Sequence, residues 1–100
     1  MDKLKKDEIL VTRYTKETTQ IRFFQVIRST SSTCELREVR KKIIAQSQDD
    51  QQVVPELNEF VSLPFRNKVQ KNGSVKIQDF LYAWPWDGTP AWQTVIIFMP

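Results

Sequence analysis

Aromatic rings fall at every second position in Phe80, Tyr82, Trp84 and Trp86. Successive strand side chains point to opposite faces, so a strand over Val75 to Trp86 places four rings on one face. The Asp87-Gly88 turn dipeptide closes that segment, and Trp92 and the apolar run Val95 to Met99 follow, so all three tryptophans lie within nine residues. Such a hairpin either anchors a core or presents a binding face. Upstream, Ile9 and Val11 alternate against Leu10 and Thr12, and their β-branching favours a strand from Glu8 to Tyr14. Thr15 to Gln20 reads as a connection. Ile21 to Ile27 is apolar on most of both sides, which predicts a central strand, and the hydroxyl run Ser29 to Thr33 predicts a turn.

The stretch from Thr33 to Gln46 supports two readings. Leu36, Val39, Ile43 and Ile44 fit a helical stripe, and Ser32 with Glu35 fits a capping box. Thr33, Cys34, Leu36 and Val39 equally suit a strand with one irregularity. Gln46 to Gln52 is polar and amide-rich, as in a loop. Pro55 and Pro64 bracket Glu56 to Leu63, so a strand there is expected to be short or at an edge. Phe65 to Lys71 reads as a strand reaching the hairpin turn Asn72-Gly73, with Ser74 opening the aromatic strand. These elements predict an all-β or β-rich domain, a small, strongly bent antiparallel sheet curled into an SH3-like barrel, with room for one short helix. The alternative is an α+β fold with a helix at about 33–46.

The order of residues also resembles a family of small uncharacterised proteins carried by phages, plasmids and other mobile elements. Ile9-Leu10, the stretch Tyr14 to Gln20, and Phe23-Phe24-Gln25-Val26 follow its opening pattern. Thr19, with Tyr14 and Glu17 as conservative swaps, stands for that pattern's Trp-Gly-Tyr-Asp-Gln-Thr-Asn segment. Leu36-Arg37-Glu38-Val39, Val53-Val54-Pro55, Val75-Lys76-Ile77 and Trp86-Asp87-Gly88-Thr89-Pro90 match its later segments. The resemblance implies a mobile-element origin and a strand order, and it favours strand over Thr33 to Arg40. It implies no activity.

A chain of 100 residues, 40% hydrophobic and 27% charged, is expected to form one domain over residues 1–100, with the lysine-rich lead 1–7 frayed. Its core is thin, so truncating a core aromatic, Trp84 if the hairpin faces inward, is expected to cost about 3–5 kcal/mol. Cys34 is the sole cysteine and cannot form an intramolecular disulfide, which suits a reducing, cytoplasmic location. The N-terminus lacks a signal-peptide pattern and Val95 to Met99 is too short to cross a bilayer, so no membrane association is expected.

With no histidine, the commonest general base and metal ligand are missing, and a lone cysteine cannot assemble a zinc site. Gly73 and Gly88 both serve turns, which leaves none for a phosphate-cradling loop. Asp49-Asp50 and Glu56 with Glu59 lie in polar or proline-bracketed segments where solvation is expected, and Cys34 has no base to activate it. No catalytic residue, metal or cofactor is therefore expected.

The formal charge is +3, but it is blocked: Arg13 to Lys42 holds eight bases and three acids, Ile43 to Pro64 four acids and no base. Arg22, Arg28, Arg37, Arg40, Lys41 and Lys42 form a candidate basic patch, and Trp84, Trp86 and Trp92 a candidate interaction surface. The leading expectation is a non-enzymatic module that binds a protein partner, inhibition of a bacterial defence system being one specific form. Nucleic-acid binding through the basic patch is the second. Self-association through the strand Val95 to Phe98 is the third.

Overall fold

The sequence of β2 (Thr19–Ser29) accounts for much of the architecture, because it must be covered on both sides. In the computed structural model, which describes residues 4–95, it lies between β1 (Ile9–Thr15) and β3 (Thr33–Gln46). The antiparallel register pairs Leu10 with Phe24 and Val26 with Leu36, and on the opposite face Val11 with Phe23 and Phe23 with Val39. Two apolar clusters result. Leu10, Phe24, Val26, Cys34 and Leu36 join Leu4, Val75 and Ala83 on one face, while Ile9, Ile21, Phe23, Val39 and Val53 meet on the other.

The remaining strands are β4 (Asp50–Phe60), β5 (Phe65–Lys68), β6 (Val75–Gln78), β7 (Leu81–Pro85) and β8 (Ala91–Thr94). Their order in the sheet is β6-β7-β1-β2-β3-β4-β8, with β5 on β3. The fold is all-β and antiparallel, and the expected barrel does not close. Between β5 and β6 the described contacts are a bridge from Val69 to Val75 and a bond from Asn67 Nδ2 to the Lys76 carbonyl, in place of a ladder. No helix among the described residues is long and apolar enough to cross a membrane.

The helical alternative for residues 33–46 is overturned, and the reason lies in the two clusters. Leu36 and Val39, three residues apart, point to opposite faces of β3, each feeding a different core. A spacing that mimics a helical stripe is here a strand buried on both sides. Glu35 closes no capping box, because its carboxylate sits beside Arg28 and Arg66. Alternation alone accounts for Thr33, Cys34, Leu36 and Val39, so the irregularity expected among them is not needed; the register of β3 against β4 shifts further on, between Val39 and Lys41 and again between Ile43 and Ala45.

Other expectations are also corrected. The predicted loop at Gln46 to Gln52 shrinks to a turn held by Ser47 and Asp50, and β4 then runs straight through Pro55. Pro55 falls where the register jumps from Lys41↔Pro55 to Val39↔Phe60, so its missing N–H sits beside a bulge. Asn58, in that bulge, has φ 65. The aromatic strand is two strands: β6 and β7 form a hairpin turning at Asp79 and Phe80, with Phe80 at φ 63 and 96% exposed. Residues 4–7 are tied down, with Leu4 buried and the Asp7 N–H bonded to the Val26 carbonyl. Turns at Thr30–Thr33, Asn72-Gly73 and Asp87-Gly88 form as expected, both glycines taking positive φ. The run expected to self-associate, 95–98, lies outside the described residues beyond Val95.

Candidate functional site

On β7 the small and branched residues, not the rings, face the core. Leu81 and Ala83 are buried, Ala83 completely, while Tyr82 and Trp84 point the other way. The register against β1 pairs Trp84 with Val11, which sets the indole on the face that also carries Arg13, Ile21 and Phe23. Trp84 is 47% exposed, so it is no core anchor and the expected cost of truncating it is corrected downward.

Trp86 takes the structural role. Its ring meets Phe23 edge to face at 5.7 Å between centroids, and its Nε1 donates to the Thr89 carbonyl at 2.8 Å. The Asp87 carboxylate accepts from both the Thr89 N–H and hydroxyl, which holds its pKa below the usual value and fixes the turn into Pro90 and β8. Trp92, on β8, is 48% exposed. The three tryptophans line one groove of about 300 Å³, with Val11 and Ile21 beneath and Arg13 and Pro90 at its sides.

Besides its ladder to β4, β8 is tied to β2 by side chains, which fix that wall of the groove. After Val39, β3 departs from β2 and exposes the β2 backbone around Ile21. Gln93 fills the gap: its Oε1 accepts from the Ile21 N–H at 3.2 Å and from Lys41 Nζ at 2.6 Å, and its Nε2 donates to Gln51 Oε1 at 2.6 Å. Thr94 Oγ1 accepts from the Thr19 N–H at 2.9 Å. Lys41 also donates to the Ile21 carbonyl, and burial lowers its pKa more than the nearby Glu38 raises it.

The six basic residues do not assemble into one patch. Arg22 chelates Glu38 through Nε and Nη2 at 3.1 and 2.8 Å on the Phe24 side of the sheet. Arg37 lies on the opposite side, donating to the Ser62 carbonyl at 2.6 Å and stacking over Phe60 at 4.4 Å. Arg28 pairs with Glu35 and Lys41 is committed to Gln93, while Arg40 and Lys42 stay exposed.

Among the described residues no three His, Cys, Asp or Glu side chains gather into a metal site. Asp49, Asp50 and Glu59 are exposed and Glu56 is half-buried. Cys34 is fully buried, its thiol pKa pushed up to about 11 by burial first and by Glu8 and Glu35 second. That places it among packing residues and far from a thiolate nucleophile.

Sequence reasoning missed Arg13 and the clasp made by Gln93 and Lys41. Arg13 was within reach, since it follows Val11 by two residues in a predicted strand. The clasp was not, because it joins residues 21, 41, 51 and 93 without a local pattern. In comparisons with protein-family models, curated proteins and solved structures, nothing matched this chain.

Proposed function

We propose that this protein is a non-enzymatic binding module that grips a segment of a partner protein in the groove between Trp84 and Trp92. The observation that carries this reading is the outward placement of rings that folding does not need. Leu81 and Ala83 satisfy the core under β7, and yet its other face carries large aromatics next to a second half-exposed indole. Exposed aromatics grouped around a concavity are characteristic of contact surfaces, and tryptophan leads among residues that dominate binding energy.

The basic residues lend less support to nucleic-acid binding, because four of the six are engaged with acceptors of the protein itself. The resemblance of the sequence to mobile-element proteins supports an origin on such an element, and inhibition of a host defence system is one form this module would take there. A pull-down from bacterial lysate tests the reading, with folded wild-type protein and a Trp84→Ala/Trp92→Ala double variant as baits. A partner retained by the first and lost by the second is expected. A partner held equally by both baits removes the groove from the function.

A further inference from the structure

The polar groups around the groove are mostly donors. Trp86 Nε1 is already bonded to Thr89, and one oxygen of Asp87 is taken up by the Thr89 N–H and hydroxyl. Among the described residues, the indole N–H groups of Trp84 and Trp92 meet no acceptor, and the Arg13 guanidinium has no carboxylate within ion-pair distance. Two indole donors, one forked cation and several flat apolar faces are thus left for an occupant.

Such a surface suits a ligand that is rich in acceptors and poor in donors. A polyproline II helix fits, because prolines lack the N–H, the helix makes no internal hydrogen bonds, and its carbonyls project outward beside apolar rings. A nucleic-acid strand fits less well. It needs cations along its phosphates, whereas this groove sets a single arginine against the opposite charge of Asp87. We propose that the groove binds a proline-rich extended segment whose acidic side chain meets Arg13, the indole N–H groups of Trp84 and Trp92 donating to its carbonyls. This rests on the reading of the groove as a protein-binding site and names the chemistry of the partner.

Panning a phage-displayed library of random dodecapeptides on the full chain tests it. Enrichment of prolines in the three-residue rhythm of that helix, flanked by Asp or Glu, is expected, and an enriched peptide should change the tryptophan emission on titration. Trp84→Phe and Trp92→Phe keep a ring and remove the donor, so each should weaken that peptide by roughly threefold to tenfold. Arg13→Gln should weaken it about threefold, and replacing the peptide's acid by its amide should abolish that difference. Enriched peptides without proline that still compete for the groove overturn this inference while leaving the binding-module reading in place. Unchanged affinity in all three folded variants also overturns it. No enrichment at all overturns both readings, and quenching of the emission by oligothymidine would then assign the groove to nucleic acid.

Discussion

The two faces of the central sheet are built from the same three strands and are finished in different ways. On the Phe24 face the curled sheet brings β5, β6 and β7 inward, so apolar side chains of these strands cover the core, and Phe24 meets Phe65 edge to face at 5.8 Å. On the Phe23 face the cover is irregular, a bulge in β4, the turn after Trp86 and the short β8, fastened by polar side chains. Gln25, itself buried, bonds Asp7 Oδ1, Asn58 Oδ1 and the Asn58 N–H, and Gln93 secures β8. Each face keeps an open hollow, one lined by Thr12, Arg22 and Leu81 on the first and the tryptophan groove on the second. On the proposed function, recognition falls to the second face, and the first is expected to contribute more of the stability.

The most direct way to break this contrast is to truncate one ring from each face. Phe24→Ala should cost about 3–5 kcal/mol in chemical denaturation, while Trp84→Ala should cost about 1 kcal/mol. Equal losses would mean that the outer rings hold the fold together. The Phe24 face should also respond to alkali. Cys34 ionises near 9.0 when unfolded and near 11 in the fold, so its burial favours the folded state fully below pH 9 and progressively less as pH rises towards 11. Stability measured across that window should fall more in the wild type than in Cys34→Ala, and parallel curves would place the thiol in contact with water.

Removing the clasp should cost less than removing a core ring. Gln93→Ala strips the acceptor from the Ile21 N–H and the Lys41 ammonium, and about 1–3 kcal/mol should be lost together with increased acrylamide quenching of Trp92. Unchanged quenching would show that β8 is held by its ladder to β4 alone. Phe80→Gly should act in the opposite direction, raising the unfolding free energy by about 1 kcal/mol in chemical denaturation, because a 96% exposed ring gives little packing to offset a left-handed backbone at φ 63. A loss would reveal a contact for that ring. The smallest effect should be that of Arg13→Gln, within about 0.5 kcal/mol of wild type, since the side chain is exposed and has no ion-pair partner among the described residues.

Much of the fold was legible wherever local rules act alone. A strand apolar on both sides had to be central, and Asn72-Gly73 and Asp87-Gly88 had to turn, because those residues carry their own conformational preferences. The hairpin at Asp79-Phe80 was hidden because alternation survives it: Tyr82 and Trp84 share a face whether or not the chain has just reversed. The strand at 33–46 was ambiguous because three-residue spacing describes either one face of a helix or both faces of a strand, and only the existence of a second core decides. The grouping of the three tryptophans followed from their closeness along the chain. The scattering of the basic residues did not, since it depends on which strand face each occupies and where Glu35, Glu38 and Gln93 arrive.

What the chain determined by itself is its β-rich character, the centrality of β2, its turns and the absence of histidine and of more than one cysteine. These follow from residue chemistry and short-range periodicity. Tertiary structure alone decided that Tyr82 and Trp84 turn outward while Trp86 packs on Phe23, because the alternate set, Leu81 and Ala83, is the one buried on the inner side of β7. It alone decided, too, which cations stay free, since pairing depends on residues brought together from distant parts of the sequence.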